Sequence, residues 1–345
     1  MFTNNRRTPP TIADVASLAG VSISTVSRVV NGTAVVVDET VERVQKAINE
    51  LHYVPRAAAR VLASKRTNTL GLLLPEISGA FFAPMIRGIE TGVREAGYDL
   101  LIYSTRGPQA SDAPLQQRLR RPLGEHNTDG LLVFTNSLEE SELERLYAIG
   151  FPVVMLHQSP PPGIDFPVVT IENQNAAEAL VSHLIEKHGR RRIAFLRGPE
   201  EHEDSRLREL GYRRALETHG LIFNADLVSR GEFIENNAYL AMRQMITEGV
   251  TFDAIFSGDD DSASGVLRGM REVGRRIPED VSLVGFDDLP YAQHIAPPLT
   301  TIHSPIERVG LEGARLLIRL ICGEAVEPKV ILPTHLVIRQ SCGCP

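Results

Sequence analysis

Hydrophobic positions change their period along the chain, and the changes mark its parts. Over the first 55 residues apolar side chains recur every three or four positions in short stretches, and no strand-like run occurs. Thr11-Ile12-Ala13-Asp14 has the form of a capping box, and the helix it opens should stop at Gly20. Ser22 is placed to cap a second helix, Ile23 to Val30, ending at Asn31-Gly32. A third opens at Asp38 or Glu39, with Asp38 as the expected cap, and carries Val41, Val44, Ile48 and Leu51 on one face. Two short helices joined by a three-residue turn, backed by a third, are the helix-turn-helix arrangement, with Ala16, Val21, Val26 and Val30 as its expected small core.

After Pro55 comes an Ala-rich stretch, Arg56 to Ala63, too short for a stable isolated helix and followed by polar residues to Thr69. From Leu70 the pattern becomes continuous apolar runs alternating with helical stretches. One series of runs begins at Leu70, Leu100, Leu131 and Val153, and a second at Val168, Ile193, Ala254 and Val281. Such alternation predicts parallel sheets covered on both faces, and two series predict two doubly wound α/β lobes. Ligands of such lobes sit at the carboxyl ends of the strands, so a cleft is expected. The expected division is a helix-turn-helix domain at 1–55, a hinge helix and linker at 56–68, a first lobe at 69–158 plus 294–326, and a second at 159–293 plus 327–340.

Charge sharpens the picture. Residues 1–66 hold nine Lys/Arg against five Asp/Glu, a balance of +4, whereas the remainder holds 27 against 38, a balance of −11. A basic front on an acidic body points to a polyanion partner for the front alone. No apolar run approaches the ~20 residues of a membrane span, and the N-terminus lacks a secretion signal. Three cysteines (Cys322, Cys342 and Cys344) are too few for a disulfide scaffold. The expectation is a cytoplasmic protein without membrane contact, and a stand-alone transport protein is disfavoured.

The stretch from Thr11 to Gly32, TIADVASLAGVSISTVSRVVNG, closely resembles the DNA-binding signature of the LacI/GalR family of bacterial transcription regulators. His52-Tyr53-Val54-Pro55 and the Ala-rich stretch resemble the family's hinge helix. Motifs from Pro75 to Phe82, Asp129 to Leu132, Ser205 to Tyr212, Gly258 to Gly265, Val284 to Asp288 and Pro297 to Ile302 fall where the family's lobe motifs fall. The resemblance implies a dimeric, allosteric DNA-binding regulator, most often a repressor, on a near-palindromic operator, with a tetramer left open. Its body would be periplasmic-binding-protein-like and its head all-α.

The second helix would then enter the major groove. Arg28 has the geometry to donate two bonds to guanine, and Ile23 to pack on a thymine methyl. Thr25 and Ser27 suit phosphate contacts, and Thr11, Ser22, Ser24 and Asn31 complete the expected DNA-binding set. By resemblance Ala59 and Leu62 belong to the hinge, with Leu62 as a minor-groove wedge. The expected effector residues are Phe81, Phe82, His157, Arg208, Phe233 and Asp260, of which Arg208 and Asp260 match the family's regular ligand contacts by resemblance. Asp260 also suits a helix N-cap, and His157 stands where sugar-responsive members often carry aspartate. The expected effector is a sugar or a derivative, with a purine or nucleoside as the alternative. A sugar-modifying enzyme fused to the head is disfavoured by the absence of hydrolase, P-loop, dinucleotide and zinc-protease motifs. No cofactor and no metal are expected. Asp259-Asp260-Asp261 cannot all face one ion, and Cys342-Gly343-Cys344 is read as a bare terminal pair.

Overall fold

The structure, a computed structural model, describes residues 10–31, 36–53, 66–105 and 127–345. The chain forms two compact units, residues 1–68 with 126–128 and the remaining residues. Ala59 and Leu62 lie outside the described residues.

The head contains α1 (Ile12–Ala19), α2 (Ile23–Asn31) and α3 (Asp38–Leu51). The Thr11 hydroxyl accepts from the Asp14 amide at 3.4 Å while Asp14 accepts from the Thr11 amide at 2.7 Å, the expected capping box. Gly20 ends α1 in the left-handed conformation. At α3 the cap differs from expectation: Val37 occupies it without a side-chain bond, and Asp38 lies inside the first turn, where its charge faces the positive end of the helix dipole. Val15, Ala16, Ala19, Val26, Val44, Ala47 and Tyr53 are buried together. Val21 and Val30 only edge this core.

The body is built on two sheets. The first contains β1 (Thr69–Leu74), β2 (Asp99–Ser104), β3 (Gly130–Phe134), β4 (Val153–Leu156), β5 (Val168–Ile171) and β11 (Lys329–Leu332), in spatial order β11-β5-β4-β3-β1-β2. The second contains β6 (Ile193–Arg197), β7 (Val228–Arg230), β8 (Ala254–Ser257) and β9 (Ser282–Val284), in order β7-β6-β8-β9. Every pairing in both sheets is parallel. Among the described residues only β10 (Thr301–His303) and β12 (His335–Val337) form an antiparallel pair, apart from both.

The sheets move the expected lobe boundaries. Val168–Ile171, expected in the second series, hydrogen-bonds beside β4, and Lys329–Leu332 closes the far edge of the same sheet. The first lobe therefore takes strands from 159–293 and 327–340, the ranges expected to build the second. The physical reason is adjacency: Met155 pairs with Val168 after a short loop, so β5 extends the sheet its predecessor belongs to.

Helices α4 (Phe82–Glu95), α5 (Glu140–Ala148), α6 (Asn173–His188), α7 (Glu203–Thr218), α8 (Glu235–Thr247), α9 (Asp260–Glu272) and α10 (Ile306–Ile321) cover the sheets. The helix α10 packs closely on α4, because a Cβ at Gly88 would overlap the Glu307 carbonyl and one at Gly310 the Met85 carbonyl. Among the described residues, no single helix is long and apolar enough to cross a membrane.

Candidate functional site

On the head, the expected DNA-contacting residues divide by geometry. Ser22 caps α2, its hydroxyl accepting from the Thr25 amide at 3.1 Å and lying 2.8 Å from the hydroxyls of both Ser24 and Thr25. Thr11 is likewise occupied by its capping box. Ile23 is 52% exposed, as are Leu18 and Val37 on the same head at 47% and 74%. It shares one helix face with exposed Ser24 and Arg28 and half-buried Ser27, while Val26 on the opposite face is fully buried. The result is a short basic-polar stripe with an apolar tip, on a helix held by the core behind it. Asn31 ends α2, and nothing further is described of its side chain.

In the body, the carboxyl ends of β1, β3, β6, β7, β8 and β9 face one cleft of about 560 Å³. From the first lobe, Glu76, Phe81 and Phe82 follow β1, and Phe134, Thr135 and Asn136 end β3. From the second, His202, Asp204 and Arg208 open α7, Glu232 to Glu235 follow β7, Asp259 and Asp261 follow β8, and Asp287 follows β9. Phe81 meets Phe134 edge-on at 5.9 Å and Phe82 at 5.5 Å. Phe134 faces His202 at 6.3 Å, and His202 meets Phe233 at 5.3 Å, so an aromatic path crosses from lobe to lobe.

Arg208 is 3% exposed and fully engaged. Its Nε donates to Asn173 at 2.9 Å, one terminal nitrogen to the Gly258 carbonyl at 2.6 Å, and the other to Asp287 at 3.2 Å. Its guanidinium also lies 3.7 Å above the Phe286 ring. Asp204 accepts from the Asn173 amide and bonds to His157 Nδ1, each at 2.7 Å. Burial pushes the Asp204 carboxyl up, but the charge and hydrogen bond of His157, with His202 and Arg208, hold it down at about 2. Asp259 goes the other way: burial and the nearby Asp287 and Asp261 outweigh its bond from Ser262 and raise it to about 7. Burial likewise raises Asp287, against the pull of Arg208.

The backbone here is strained. His157, Glu232, Phe233 and Asp287 all have positive φ without being glycine, at a cost of roughly 1–2 kcal/mol each. Gly198 makes room for Phe233, since a Cβ at Gly198 would sit inside the Phe233 ring.

Four of the six expected effector residues, Phe81, Phe82, Arg208 and Phe233, therefore line the cleft, and two do not. His157 is 1% exposed and lies beneath the floor, against the Phe81 and Phe134 rings at 5.6 Å. Asp260 is wholly buried, accepting from the Leu289 amide at 2.8 Å and the Thr301 hydroxyl at 2.7 Å, which turns its carboxylate away from the cleft. The cap of α9 is Asp259, accepting from the Ser262 amide at 2.9 Å, and not Asp260. Sequence reasoning missed Glu76, Asn136, His202, Asp204, Glu232, Glu235, Asp259, Asp261 and Asp287. Most lie within a few residues of a strand end, the one signal that could have found them, whereas His202 and Asp204 sit at the start of α7.

Residues 11–56 match the family described as bacterial regulatory proteins, lacI family, and residues 181–342 match a periplasmic binding protein-like domain. The chain is 36% identical over 345 residues to the HTH-type transcriptional regulator CelR of Thermobifida fusca, covering 97% of this chain and 99% of the relative. A solved complex of CelR with cellobiose superposes with a TM-score of 0.73 at 35% identity, covering 96% of this chain and 99% of that one. The lac repressor dimer bound to operator and an anti-inducer superposes with a TM-score of 0.83 at 27% identity, covering 97% and 99%.

Proposed function

Because the chain belongs to the lacI family of bacterial regulatory proteins, a group of ligand-controlled DNA-binding regulators, we propose that it is a repressor whose cleft takes a neutral sugar of about disaccharide size. The observation that carries the ligand class is the charge of the cleft. Glu76, Asp204, Glu232, Glu235, Asp259, Asp261 and Asp287 line it against a single arginine already paired inside the wall. Carboxylates accept well from sugar hydroxyls, whereas an anionic sugar phosphate would meet repulsion. The Phe81, Phe134 and Phe233 rings supply apolar faces for the C–H side of a sugar ring. The cleft volume falls within the usual span for small-ligand sites, about 300–1,000 Å³. The likeness to a CelR–cellobiose complex makes cellobiose the first candidate.

In this reading α2 docks in the major groove of a near-palindromic operator, with Arg28 and Ile23 toward base edges. Two copies of the chain act together in the cytoplasm, one per half-site. The relatives are transcription regulators, so binding without turnover is the expected chemistry. The sugar changes operator affinity through its different affinity for two body conformations.

The test is thermal unfolding of the full chain against neutral mono- and disaccharides, sugar phosphates and purines. A ligand at 100 times its Kd should stabilise by about 2.7 kcal/mol. Stabilisation by neutral disaccharides, with a matched change in operator affinity, supports the proposal. Stabilisation by sugar phosphates or purines alone overturns it.

A further inference from the structure

Away from the cleft, the structure brings together four side chains that sequence reasoning left apart. Cys342 ends a 3-10 turn at Gln340–Cys342 and Cys344 follows across Gly343, where the expectation was a bare pair. His183 and His188, the latter the last residue of α6, stand against them. The Cys344 sulfur lies 3.4 Å from His188 Nε2 and 3.7 Å from His183 Nε2. The two imidazole rings meet edge-on at 5.1 Å, and one ligand atom from each of the four residues lies within 4.8 Å of every other.

These separations approach those of a tetrahedral site. Zinc bonds of about 2.3 Å to sulfur and 2.0–2.1 Å to nitrogen place S and N about 3.5 Å apart, and two sulfurs about 3.8 Å apart. The two S···N distances of Cys344 bracket the first value, and closing the widest pair needs a shift of about 1 Å. Two thiolates and two neutral imidazoles cancel a dication, so the loaded site buries no net charge.

The surroundings hold the ligands in place. Ser282 donates to the Cys342 carbonyl at 2.6 Å, Ser341 donates to the Leu283 carbonyl at 2.6 Å, and the Thr300 amide donates to Ser341 at 2.8 Å. The 340–342 segment is thus fastened to β9 before any ion arrives. The Thr300 hydroxyl shares its one proton between the Arg339 carbonyl at 2.9 Å and the Cys342 sulfur at 3.2 Å, the latter an outer bond of the kind that orients metal-bound thiolates. Gly343 turns with φ of 108°, bringing Cys344 back toward His188, whose ring a Cβ at that position would touch. The carbonyl end of the α6 dipole also favours a cation there. His183 and Cys342 are buried, and all four positions are filled by side chains, which suits a closed structural site rather than a catalytic one.

We propose that His183, His188, Cys342 and Cys344 form a four-coordinate site for a zinc-class divalent cation that clips the 340–344 segment to the end of α6. The test uses the untagged full chain, reduced and stripped with a chelator, then titrated with Co²⁺ and afterwards Zn²⁺. Expected are one equivalent of Co²⁺ with tetrahedral visible bands and a near-ultraviolet thiolate charge-transfer band, displacement by Zn²⁺, and a rise in Tm on loading. C344S and H188Q, both at half-exposed positions, should each weaken Co²⁺ binding at least tenfold, while C322S should not change it. The wild-type spectrum stands as evidence even if a variant fails to fold. The proposal is overturned by an octahedral or absent Co²⁺ spectrum, by C344S or H188Q binding as wild type, or by a Cys342–Cys344 disulfide in protein kept reduced.

Discussion

Asp259 should make the body less stable as pH rises, and D259N should remove that dependence. Its carboxyl is raised from 3.8 to about 7, mainly by burial and by the neighbouring Asp287 and Asp261. A folded pKa above the unfolded one means the native state holds the proton more tightly. The resulting stability is complete below pH 3.8 and is lost as pH climbs toward 7, after which the curve flattens. At 1.36 kcal/mol per unit, the loss between pH 5 and pH 8 comes to about 2–3 kcal/mol. Asparagine keeps a carbonyl oxygen for the Ser262 amide, so the α9 cap survives while the charge disappears. Histidines also titrate in this window, and for that reason the quantity to compare is the Tm of D259N minus that of wild type. The difference should grow by roughly 5–10 °C from pH 5 to pH 8 for a body of this size. Scanning calorimetry at four pH values is sufficient. Parallel Tm–pH curves for the two proteins would refute a buried, raised Asp259 and the account of cleft electrostatics built on it.

Three further outcomes are expected. R28A should cost about 1–3 kcal/mol on a specific operator and far less on random DNA, measured by fluorescence anisotropy at fixed salt; equal loss on both would remove Arg28 from base recognition. D260A orphans the Leu289 amide and the Thr301 hydroxyl, so it should destabilise the body by about 2–4 kcal/mol yet leave effector Kd within threefold, whereas F233A should do the reverse. R208M strips the cation from a wall holding Asp204 and Asp287, which should cost about 3–5 kcal/mol at pH 7, and less as pH falls, because burial already raises Asp287.

The parts of the fold legible in the sequence are those where one segment carries its own signal. Leu70–Leu74, Leu131–Phe134 and Ala254–Ser257 are continuous apolar runs because helices cover both faces of their sheets. β10 and β12, with Thr301, His303 and His335 at half-polar positions, carry no such run, and their pairing depends on a partner distant in sequence. The α10 helix went unassigned because Gly310 and Gly313 interrupt its apolar face; Gly310 is what allows α4 to approach, and Gly313 makes room for Leu156 of the sheet. The position of Phe81, Arg208 and Phe233 on the cleft wall was legible through motif resemblance. Asp260 was expected at the cleft and lies buried instead, because in a run of three acids entering a helix each residue turns the side chain by about 100°, and only tertiary partners decide which carboxylate faces the cleft.

The two walls of the cleft differ in how freely they accept new residues. On the second lobe, Phe233 sits at positive φ over Gly198, and Asp287 at positive φ beside Arg208, so backbone and side chain must change together. On the first lobe, Glu76, Ser78 and Asn136 reach the cleft from the loops after β1 and β3. Among these only Asn136 has a left-handed backbone, which asparagine tolerates. A shift in ligand preference should therefore accumulate on the first-lobe rim, at Glu76 and Ser78 above all. Laboratory libraries aimed at new effectors should randomise those two positions and leave 198, 208, 233 and 287 untouched. The protein would then evolve as a fixed half paired with a variable one.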